Sequence, residues 1–268
     1  MSVTSMAEAE SFSVAFEPRM GALESLASPP VLSKFPIVQQ IIDKLGQPLL
    51  ELGRRARRVG PIDAGTIVLL AGCQEGVGCS TAALACAVMA SLDGPTALID
   101  ADIPNSKSEI RNSKPEMGNS KSPSSEFHFV ASRGRTLTEL LVGQATVGWN
   151  DVVSGVAAIQ EAVHHVDSRE ALAFLPKSET RDFGFQISDF GFSQTDWAGW
   201  FGRLRQDFGL VFLDGGSVEW GAVQWAPWVD AVLIVSNPSR AAGPDWTKSW
   251  DRFEESGTYV LGIVETFV

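Results

Sequence analysis

Short apolar runs separated by glycine-rich turns and helical stretches dominate the chain from Thr66 onward. Continuous runs of this length are typical of strands that are buried on both faces of a sheet. A strand, a glycine turn, a small-residue helix and a second strand follow one another, which predicts a βαβ unit and a parallel sheet. The predicted fold class is α/β, a doubly wound and mostly parallel sheet. The predicted strands read TIVLLAG, TALIDAD, FHFVAS, ALAFLP, GLVFLDGG, AVLIVSN and YVLGIVETF, and the helix reads STAALACAVMASL.

Two segments precede this domain. Residues 1–34 are rich in Ser, Ala, Glu and Pro without sustained periodicity, which predicts a disordered leader. Residues 35–60 repeat Ile and Leu at helical spacing up to an arginine cluster, so they predict an amphipathic helix with a kink at Pro48. This helix either docks on a membrane surface or a partner, or packs on the domain with its arginines in solvent. Residues 61–268 form the α/β domain.

A heptapeptide repeat interrupts the domain within residues 103–126. The units IPNSKSE, IRNSKPE and MGNSKSP follow one another, with one apolar position each and with proline and glycine among them. One apolar position per seven residues cannot build a coiled-coil seam. We therefore expect a disordered surface insertion.

Composition and charge exclude several classes of function. The net charge of -11 opposes binding to a phosphate backbone, so nucleic acid is not an expected partner. The chain has neither an apolar run of about 18 residues nor a signal-peptide pattern at its N-terminus, which predicts a cytoplasmic protein. Cys73, Cys79 and Cys86 lie too close together for a disulfide framework and lack histidine partners at metal-ligand spacing.

The turn between the first strand and the helix, CQEGVGCST, has the context of a phosphate-binding loop. Its backbone N–H groups would surround a phosphate at the positive end of the helix. Glycines permit the close approach of the backbone, and Ser80 stands where a Mg²⁺-binding hydroxyl belongs. However, Cys79 occupies the lysine position of such a loop, and Cys73 the position of its leading glycine. The candidate nucleotide-binding residues are Gly76, Val77, Gly78, Cys79, Ser80 and Thr81.

Carboxylates follow two of the predicted strands. Asp100 and Asp102 stand at the end of ALID, and Asp214 closes the apolar run GLVFL. Because ligands of open α/β sheets bind at the carboxyl ends of the strands, these side chains are expected to line one cleft. A carboxylate after a buried strand is able to hold Mg²⁺ or its water ligands.

With these motifs, the chain from about residue 65 onward resembles the cytoplasmic tyrosine-autokinase domain of capsule and exopolysaccharide synthesis, which is related to the MinD/ParA partition ATPases. The resemblance implies a P-loop NTPase-like three-layer sandwich with ATP or ADP and Mg²⁺ as ligands. By resemblance, Asp100, Asp102 and Asp214 take catalytic roles, and Ser80, Asp100 and Asp214 bind the metal. The similar segments are EGVGCST, ALIDADI, TLTELLVGQATVGWNDVV, ALAFLPKS, LVFLDGG and AVLIVSNPS.

Departures from the family pattern argue against catalysis. Cys79 replaces the lysine that contacts the nucleotide phosphates, and losing one such donor typically costs roughly 3–4 kcal/mol. Gln74 stands where the partition ATPases carry a second lysine, and Arg240 is the one candidate for a replacement cation. Tyr259, the single tyrosine, lies in a predicted strand, whereas the autokinases end in a tyrosine cluster. Glu265 replaces an asparagine that reads adenine in the family, and a carboxylate only accepts hydrogen bonds.

These features predict a degenerate P-loop ATPase or tyrosine-kinase-like protein that acts as a binding or regulatory partner, with nucleotide binding weak or lost. The resemblance implies exopolysaccharide or capsule synthesis, a protein partner such as an inner-membrane polysaccharide co-polymerase, homo-oligomers, and a peripheral position at the inner membrane. The alternative is an active ATP-dependent tyrosine kinase or ATPase that borrows a cation. A third hypothesis is thiol redox sensing, because a helix N-terminus lowers a thiol pKa; Cys79 is otherwise a small residue that fills an inactive loop.

Tryptophan is unusually frequent, with eight residues. Trp220, Trp225 and Trp228 follow the strand that ends at Asp214, in a segment that is a mobile switch and dimer contact in the related ATPases. Two interpretations are open: these side chains anchor a partner protein, or they cover the sheet as core residues.

Overall fold

The computed structural model describes residues 35–102, 136–166, 171–178, 194–239 and 246–266. Its strands are β1 (Thr66–Gly72), β2 (Thr96–Asp100), β3 (His164–His165), β4 (Leu172–Leu175), β5 (Leu210–Ser217), β6 (Ala231–Ser236) and β7 (Val260–Glu265). They form one sheet in the order β3-β4-β2-β5-β1-β6-β7. Neighbouring strands are parallel except for the antiparallel pair β3 and β4. The predicted fold class is therefore confirmed.

Most strands of the sheet are apolar throughout. Every residue of β1, β2, β4 and β6 is buried, so these strands are covered on both faces. The helices that cover them are α1 (Pro36–Arg57), α2 (Cys79–Ala90), α3 (Leu137–Leu141), α4 (Trp149–Val153), α5 (Ile159–Ala162), α6 (Gln194–Asp207) and α7 (Trp246–Glu255). Right-handed crossovers place α2 on one face and α6 and α7 on the other. In agreement, α1 packs on α2, while α6 and α7 both contact the 3₁₀ segment Ala222–Trp228.

Helix α1 packs on the domain, which decides between the two interpretations of residues 35–60. Val38, Ile42 and Leu49 are buried against the core. Gly53 allows close contact with α2, since a Cβ at this position would lie 3.0 Å from the Cβ of Ala90. The helix continues through Pro48 to Arg57.

At the arginine end of α1, Arg54 and Arg58 are exposed, as expected, but Arg57 is not. Arg57 is half-buried and donates hydrogen bonds of 3.1 Å each to the carbonyl oxygens of Ala90 and Gly94. Arg54 forms an ion pair of 2.7 Å with Asp93. Arg57 thus binds the carbonyl group of the last residue of α2, where a helix leaves its acceptors without internal partners.

Several sequence-based predictions fall outside the described residues. These are the leader 1–34, the repeat insertion with Lys107, the strand FHFVAS and the candidate cation Arg240. They stay predictions. In the ranges that the structure describes, no helix is long and apolar enough to cross a membrane.

Candidate functional site

The loop between β1 and α2 has the backbone of an anion-binding turn. Gly76 and Gly78 adopt φ angles of 72° and 87°, in the left-handed region that favours glycine. Gly78 is the N-cap residue of α2, so the free N–H groups of the first helical turn face the loop. Val77 between the two glycines is buried, and Ser80 and Thr81 on the first turn are half-exposed. The predicted nucleotide-binding residues therefore lie together at the end of β1.

The end of β7 fixes this loop from the side. The Thr266 hydroxyl contacts the carbonyl oxygen of Val77 and, at 3.2 Å, that of Ser236, and it donates to one of them at a time. Thr266 is itself buried. The conformation of the loop thus depends on a residue that lies 189 positions further along the chain, which the sequence analysis did not identify.

Cys79 lies at the first position of α2 with its thiol turned toward the carboxylates of the site. Burial raises its pKa well above the ordinary value, and the neighbouring charges of Asp214 and Asp102 raise it further. The expectation that the helix N-terminus lowers this pKa is therefore wrong. Desolvation and two carboxylates disfavour the thiolate by more than the helix dipole favours it. The position where a P-loop carries a fixed positive charge holds a neutral thiol.

We expect Cys79 to react slowly with iodoacetamide. The thiolate is the reacting species, so a buried thiol with a raised pKa should be alkylated at least about tenfold more slowly at pH 7.5 than a free thiol. Peptide mapping after timed alkylation measures the rate at this position. Cys86 serves as the internal control, because burial alone raises its pKa to about 12. Rapid modification of Cys79 near neutral pH would revive the redox-sensor hypothesis.

Asp100 ends β2 and is held by the first turn of α3. Its Oδ2 accepts hydrogen bonds from the backbone N–H (2.8 Å) and the hydroxyl (2.7 Å) of Thr138. Burial raises the pKa of Asp100, while these bonds and the charge of Lys177 lower it. The Asp100 carboxylate is therefore held by Thr138 through its Oδ2, and a backbone hydrogen bond from Asp102 also lowers its pKa.

Asp214 lies directly beside Asp100 in the parallel register of β2 and β5. It is fully buried, and its Oδ2 has no donor in hydrogen-bonding geometry among the described residues. Burial raises its pKa to about 7, and the charges of Asp100 and Asp102 contribute. The Ser80 hydroxyl and the Cys79 thiol lie close enough to lower this pKa by a smaller amount. The three predicted catalytic carboxylates thus interact electrostatically at one point.

Asp102 follows the end of β2 and packs on the loop after β5. Its carboxylate lies against Gly216, where no space is left for a Cβ atom. Gly216 adopts a φ of 66° and donates its N–H to Asp214 Oδ1 at 3.4 Å. The glycine thus lets two of the carboxylates approach each other.

We expect Asp214→Asn to stabilise the metal-free protein in a pH-dependent way. The folded-state pKa of about 7 exceeds the ordinary value of 3.8. Between these values the folded state binds more protons than the unfolded state, so the wild-type protein loses stability as the pH rises and levels off above about 7. The stabilisation by asparagine should be small near pH 4 and reach a few kcal/mol at pH 8. Urea unfolding in EDTA at several pH values measures it.

Asp207→Asn is the matched control for this titration, because Asp207 is exposed at the end of α6. It should leave the pH dependence of the unfolding free energy unchanged. Equal effects of the two substitutions at every pH would contradict the raised pKa of Asp214.

Mg²⁺ fits the donor chemistry of this site. The buried Oδ2 of Asp214 lacks a donor, and a hydroxyl from Ser80 lies beside it. Hard oxygen ligands of this kind suit Mg²⁺, which also keeps several waters. Among the described residues, no three His, Cys, Asp or Glu side chains are placed to hold a metal by themselves. Phosphate oxygens would therefore have to complete the coordination shell.

Two tryptophans fix the backbone at the end of β2. The indole N–H of Trp149 donates to the carbonyl of Asp100 at 2.8 Å, and that of Trp225 donates to Ala101 at 3.2 Å. With Trp197, they form a buried cluster whose ring centroids lie 5.5 to 6.0 Å apart. Trp225 is therefore a core residue that covers the sheet, which was one of the two interpretations of this segment.

The other two tryptophans of this segment are Trp228 and Trp220. Trp228 is half-buried and stacks on Phe201 with a centroid distance of 5.7 Å. The side chain of Trp220 lies outside the described set. Segment Ala222–Trp228 is thus attached to the core through aromatic contacts.

Lys177 is a cation near the site that sequence reasoning missed. It follows β4, which pairs with β2 so that Leu175 stands beside Ile99. Its charge lowers the pKa of Asp100, and its backbone N–H donates to the Thr138 hydroxyl at 3.0 Å. The strand pattern could have identified Lys177, because residues after neighbouring parallel strands share one edge of the sheet.

Solved structures with the same arrangement of strands and helices identify the fold. The chimeric protein CapA2B2 has a TM-score of 0.59 at 17% identity, over 84% of this chain and 88% of that one. The VpsO kinase domain has a TM-score of 0.59 at 16% identity, over 88% and 97%. The kinase domain of the Escherichia coli tyrosine kinase ETK has a TM-score of 0.57 at 15% identity, over 90% and 88%.

The chain has the fold of bacterial tyrosine-kinase domains. The resemblance inferred from the sequence is thereby confirmed at the level of fold. No protein-family model matches the chain, and no curated protein matches it either. Within this kinase-domain fold, the roles of Cys79, Asp100 and Asp214 stay predictions.

Proposed function

We propose that the chain is a degenerate P-loop protein that acts by binding a partner and does not transfer phosphoryl groups. The buried thiol of Cys79 beside Asp214 is the observation that carries this proposal. Phosphoryl transfer depends on positive charge and donors that neutralise the phosphates in the transition state. A neutral thiol supplies no such charge, and the carboxylates of Asp214 and Asp102 lie beside it. ATP or ADP with Mg²⁺ would therefore bind weakly, through the backbone N–H groups of the loop.

Lys177 is too far away to replace the missing lysine. Strands β2 and β5 lie between β4, which precedes Lys177, and β1, which precedes the loop. Three strand spacings amount to roughly 14 Å, more than a lysine side chain spans. Lys177 compensates the charge of Asp100 instead.

The partner follows from the resemblance to the capsule and exopolysaccharide autokinases. We infer a role in that pathway, with an inner-membrane polysaccharide co-polymerase as the protein partner. The protein would then be peripheral at the inner membrane and would form homo-oligomers. Support comes from the fold, which covers 84 to 90% of this chain in the kinase domains described above. Tyr259, the single tyrosine of the sequence, directly precedes β7.

Calorimetric titration with ATP and ADP in Mg²⁺, together with a phosphate-release assay, tests this proposal. The expected result is no phosphate release and no saturable binding below about 1 mM, which corresponds to a binding free energy weaker than about -4 kcal/mol. Micromolar binding of ATP combined with steady phosphate release would refute it.

An active ATPase or tyrosine kinase that borrows a cation is the second candidate. The donor-free Oδ2 of Asp214 beside the Ser80 hydroxyl favours it, because this pair suits Mg²⁺. A cation contributed by another copy would make the specific activity rise with protein concentration. Constant or zero specific activity over a hundredfold range of protein concentration would exclude a catalytic cation from another copy of the chain.

A further inference from the structure

One carboxylate oxygen of the site is buried without a hydrogen-bond donor. Asp214 is fully buried, and its Oδ2 has no hydrogen-bond partner among the described residues. Its other oxygen, Oδ1, accepts only a long bond of 3.4 Å from the N–H of Gly216. A buried carboxylate is costly unless its oxygens are paired, so an oxygen in this position takes up a proton or a cation.

A thiol lies beside this carboxylate. Cys79 is the first residue of α2, its side chain is buried, and it interacts with Asp214 at hydrogen-bonding range. The Ser80 hydroxyl approaches the same carboxylate. Cysteine sulfur and carboxylate oxygen are both ligands of Zn²⁺, at about 2.3 Å and about 2.0–2.2 Å. The two side chains thus offer one soft and one hard ligand atom at the same point.

The charge around this pair favours a cation. The charges of Asp100 and Asp102 both act on Asp214, so negative potential accumulates at its carboxylate. The loop sequence CQEGVGCST contains no lysine or arginine that could offset this potential. A divalent cation held by Asp214 would supply the positive charge that a phosphate-binding loop ordinarily takes from its lysine.

We propose that Cys79 and Asp214 together bind a thiophilic divalent cation such as Zn²⁺. The ligand atoms are the Cys79 Sγ and the Asp214 Oδ2, and the Ser80 hydroxyl and water complete a four-coordinate shell. The protons that the thiol and the carboxyl group carry pass to the solvent as the ion enters. Ser80 is half-exposed, so solvent reaches the edge of the site. The ion binds without nucleotide, so this site does not depend on the proposed partner binding.

The thiol changes which ion the site selects. Mg²⁺ prefers oxygen ligands, whereas thiolates select softer ions such as Zn²⁺ and Cd²⁺. The preference for a soft ion is therefore a consequence of Cys79. Among the described residues, no three His, Cys, Asp or Glu side chains form a complete metal cluster, so two protein ligands have to suffice. We expect a moderate dissociation constant of about 1–100 µM, weaker than that of structural zinc sites with four protein ligands.

Titration of the metal-stripped full chain with Cd²⁺ tests the site, because cadmium bound to a thiolate gives a charge-transfer band in the ultraviolet. The band should saturate at about one ion per chain, and Zn²⁺ should displace the Cd²⁺ whereas about a hundredfold excess of Mg²⁺ should not. Cys79→Ala should remove the band. Cys86→Ala, the same substitution at another buried thiol of α2, is the matched control and should keep it.

Asp214→Asn tests the second ligand. It should weaken Cd²⁺ binding at least about tenfold, because a neutral amide is a poorer ligand than a carboxylate. Asp207→Asn, on the surface, should leave the affinity unchanged. Asp214→Asn removes a buried charge and is expected to stabilise the metal-free protein, so its loss of affinity does not come from unfolding. Thermal unfolding of metal-free Cys79→Ala checks the fold of that variant, and if it does not fold, the result for Asp214→Asn decides.

Three results would overturn the site. These are a full band in Cys79→Ala, equal affinities of the wild-type protein and Asp214→Asn, and displacement of Cd²⁺ by Mg²⁺ as readily as by Zn²⁺. Absence of any band in the wild-type protein would also overturn it and would mean that Asp214 Oδ2 carries only a proton. None of these results affects the proposed scaffold function, which requires no metal ion and fails instead if the protein releases phosphate from ATP.

Discussion

Replacing Cys79 with lysine is expected to restore Mg-ATP binding and to raise any phosphate release about a hundredfold to a thousandfold. The thiol already points to Asp214 and Asp102, so an ammonium group there gains carboxylate partners in the apo state and phosphate oxygens in the complex. The loop keeps left-handed glycines at Gly76 and Gly78, so the backbone does not need to be rebuilt. One donor of this kind contributes roughly 3–4 kcal/mol to the transition state. Calorimetry and a phosphate-release assay on the variant measure both effects.

Cys79→Met is the control for this variant, because methionine extends the side chain without charge. It should gain neither binding nor turnover. The same gain in both variants would mean that side-chain length, and not charge, limits the natural loop. Unchanged weak binding in the lysine variant with an intact fold would show that the loop is inactive for another reason.

Removing the indole of Trp225 is expected to lower the free energy of unfolding by about 3–5 kcal/mol. Trp225→Ala deletes one of the largest fully buried side chains, together with its contacts to Trp149 and Trp197. It also leaves the carbonyl of Ala101 without its indole donor. Large buried side chains cost this much when the resulting cavity cannot collapse. Urea unfolding at pH 7 measures the change.

Two further variants separate the contributions to this effect. Trp246→Ala removes a ring that is 42% exposed on α7 and should cost less than about 1 kcal/mol. Trp225→Phe keeps an aromatic ring but loses the N–H donor, so it should cost about 1–3 kcal/mol. If Trp225→Ala were as mild as Trp246→Ala, segment Ala222–Trp228 would be a mobile switch rather than part of the core.

The fold was predictable because its signals are local. The strands β1, β4 and β6 are uninterrupted apolar runs, and each coincides with a predicted strand to within a residue or two. The glycine turn before α2 and the order of the elements then imply parallel pairing. The end of β2 was less well predicted, because the chain leaves the sheet at Asp100 although the apparent strand continues to Asp102.

The sequence predicted which residues lie at the site, but not the hydrogen bonds that hold them. Asp100, Asp102 and Asp214 were expected at one edge of the sheet, and they do interact there. The hydrogen bonds from Thr138 to Asp100 join residues 38 positions apart, and no local sequence pattern predicts such a contact.

The sequence also predicted the wrong direction for the pKa shift of Cys79, which is raised and not lowered. The helix N-terminus is visible in the sequence, whereas the burial of the thiol and its two carboxylate neighbours are not. The sequence also could not identify what the apolar face of α1 packs against. An amphipathic pattern is equally compatible with binding to a membrane surface and with packing on α2.

The indole groups that hold the end of β2 also give the protein an internal optical probe. Trp149 and Trp225 are buried and are hydrogen-bonded to the carbonyls of Asp100 and Ala101, beside the carboxylates of the site. Their fluorescence should be shielded from iodide, whereas that of Trp246 on the surface should be quenched. A ligand that shifts the end of β2 would change the shielded emission alone, so occupancy is readable without a label.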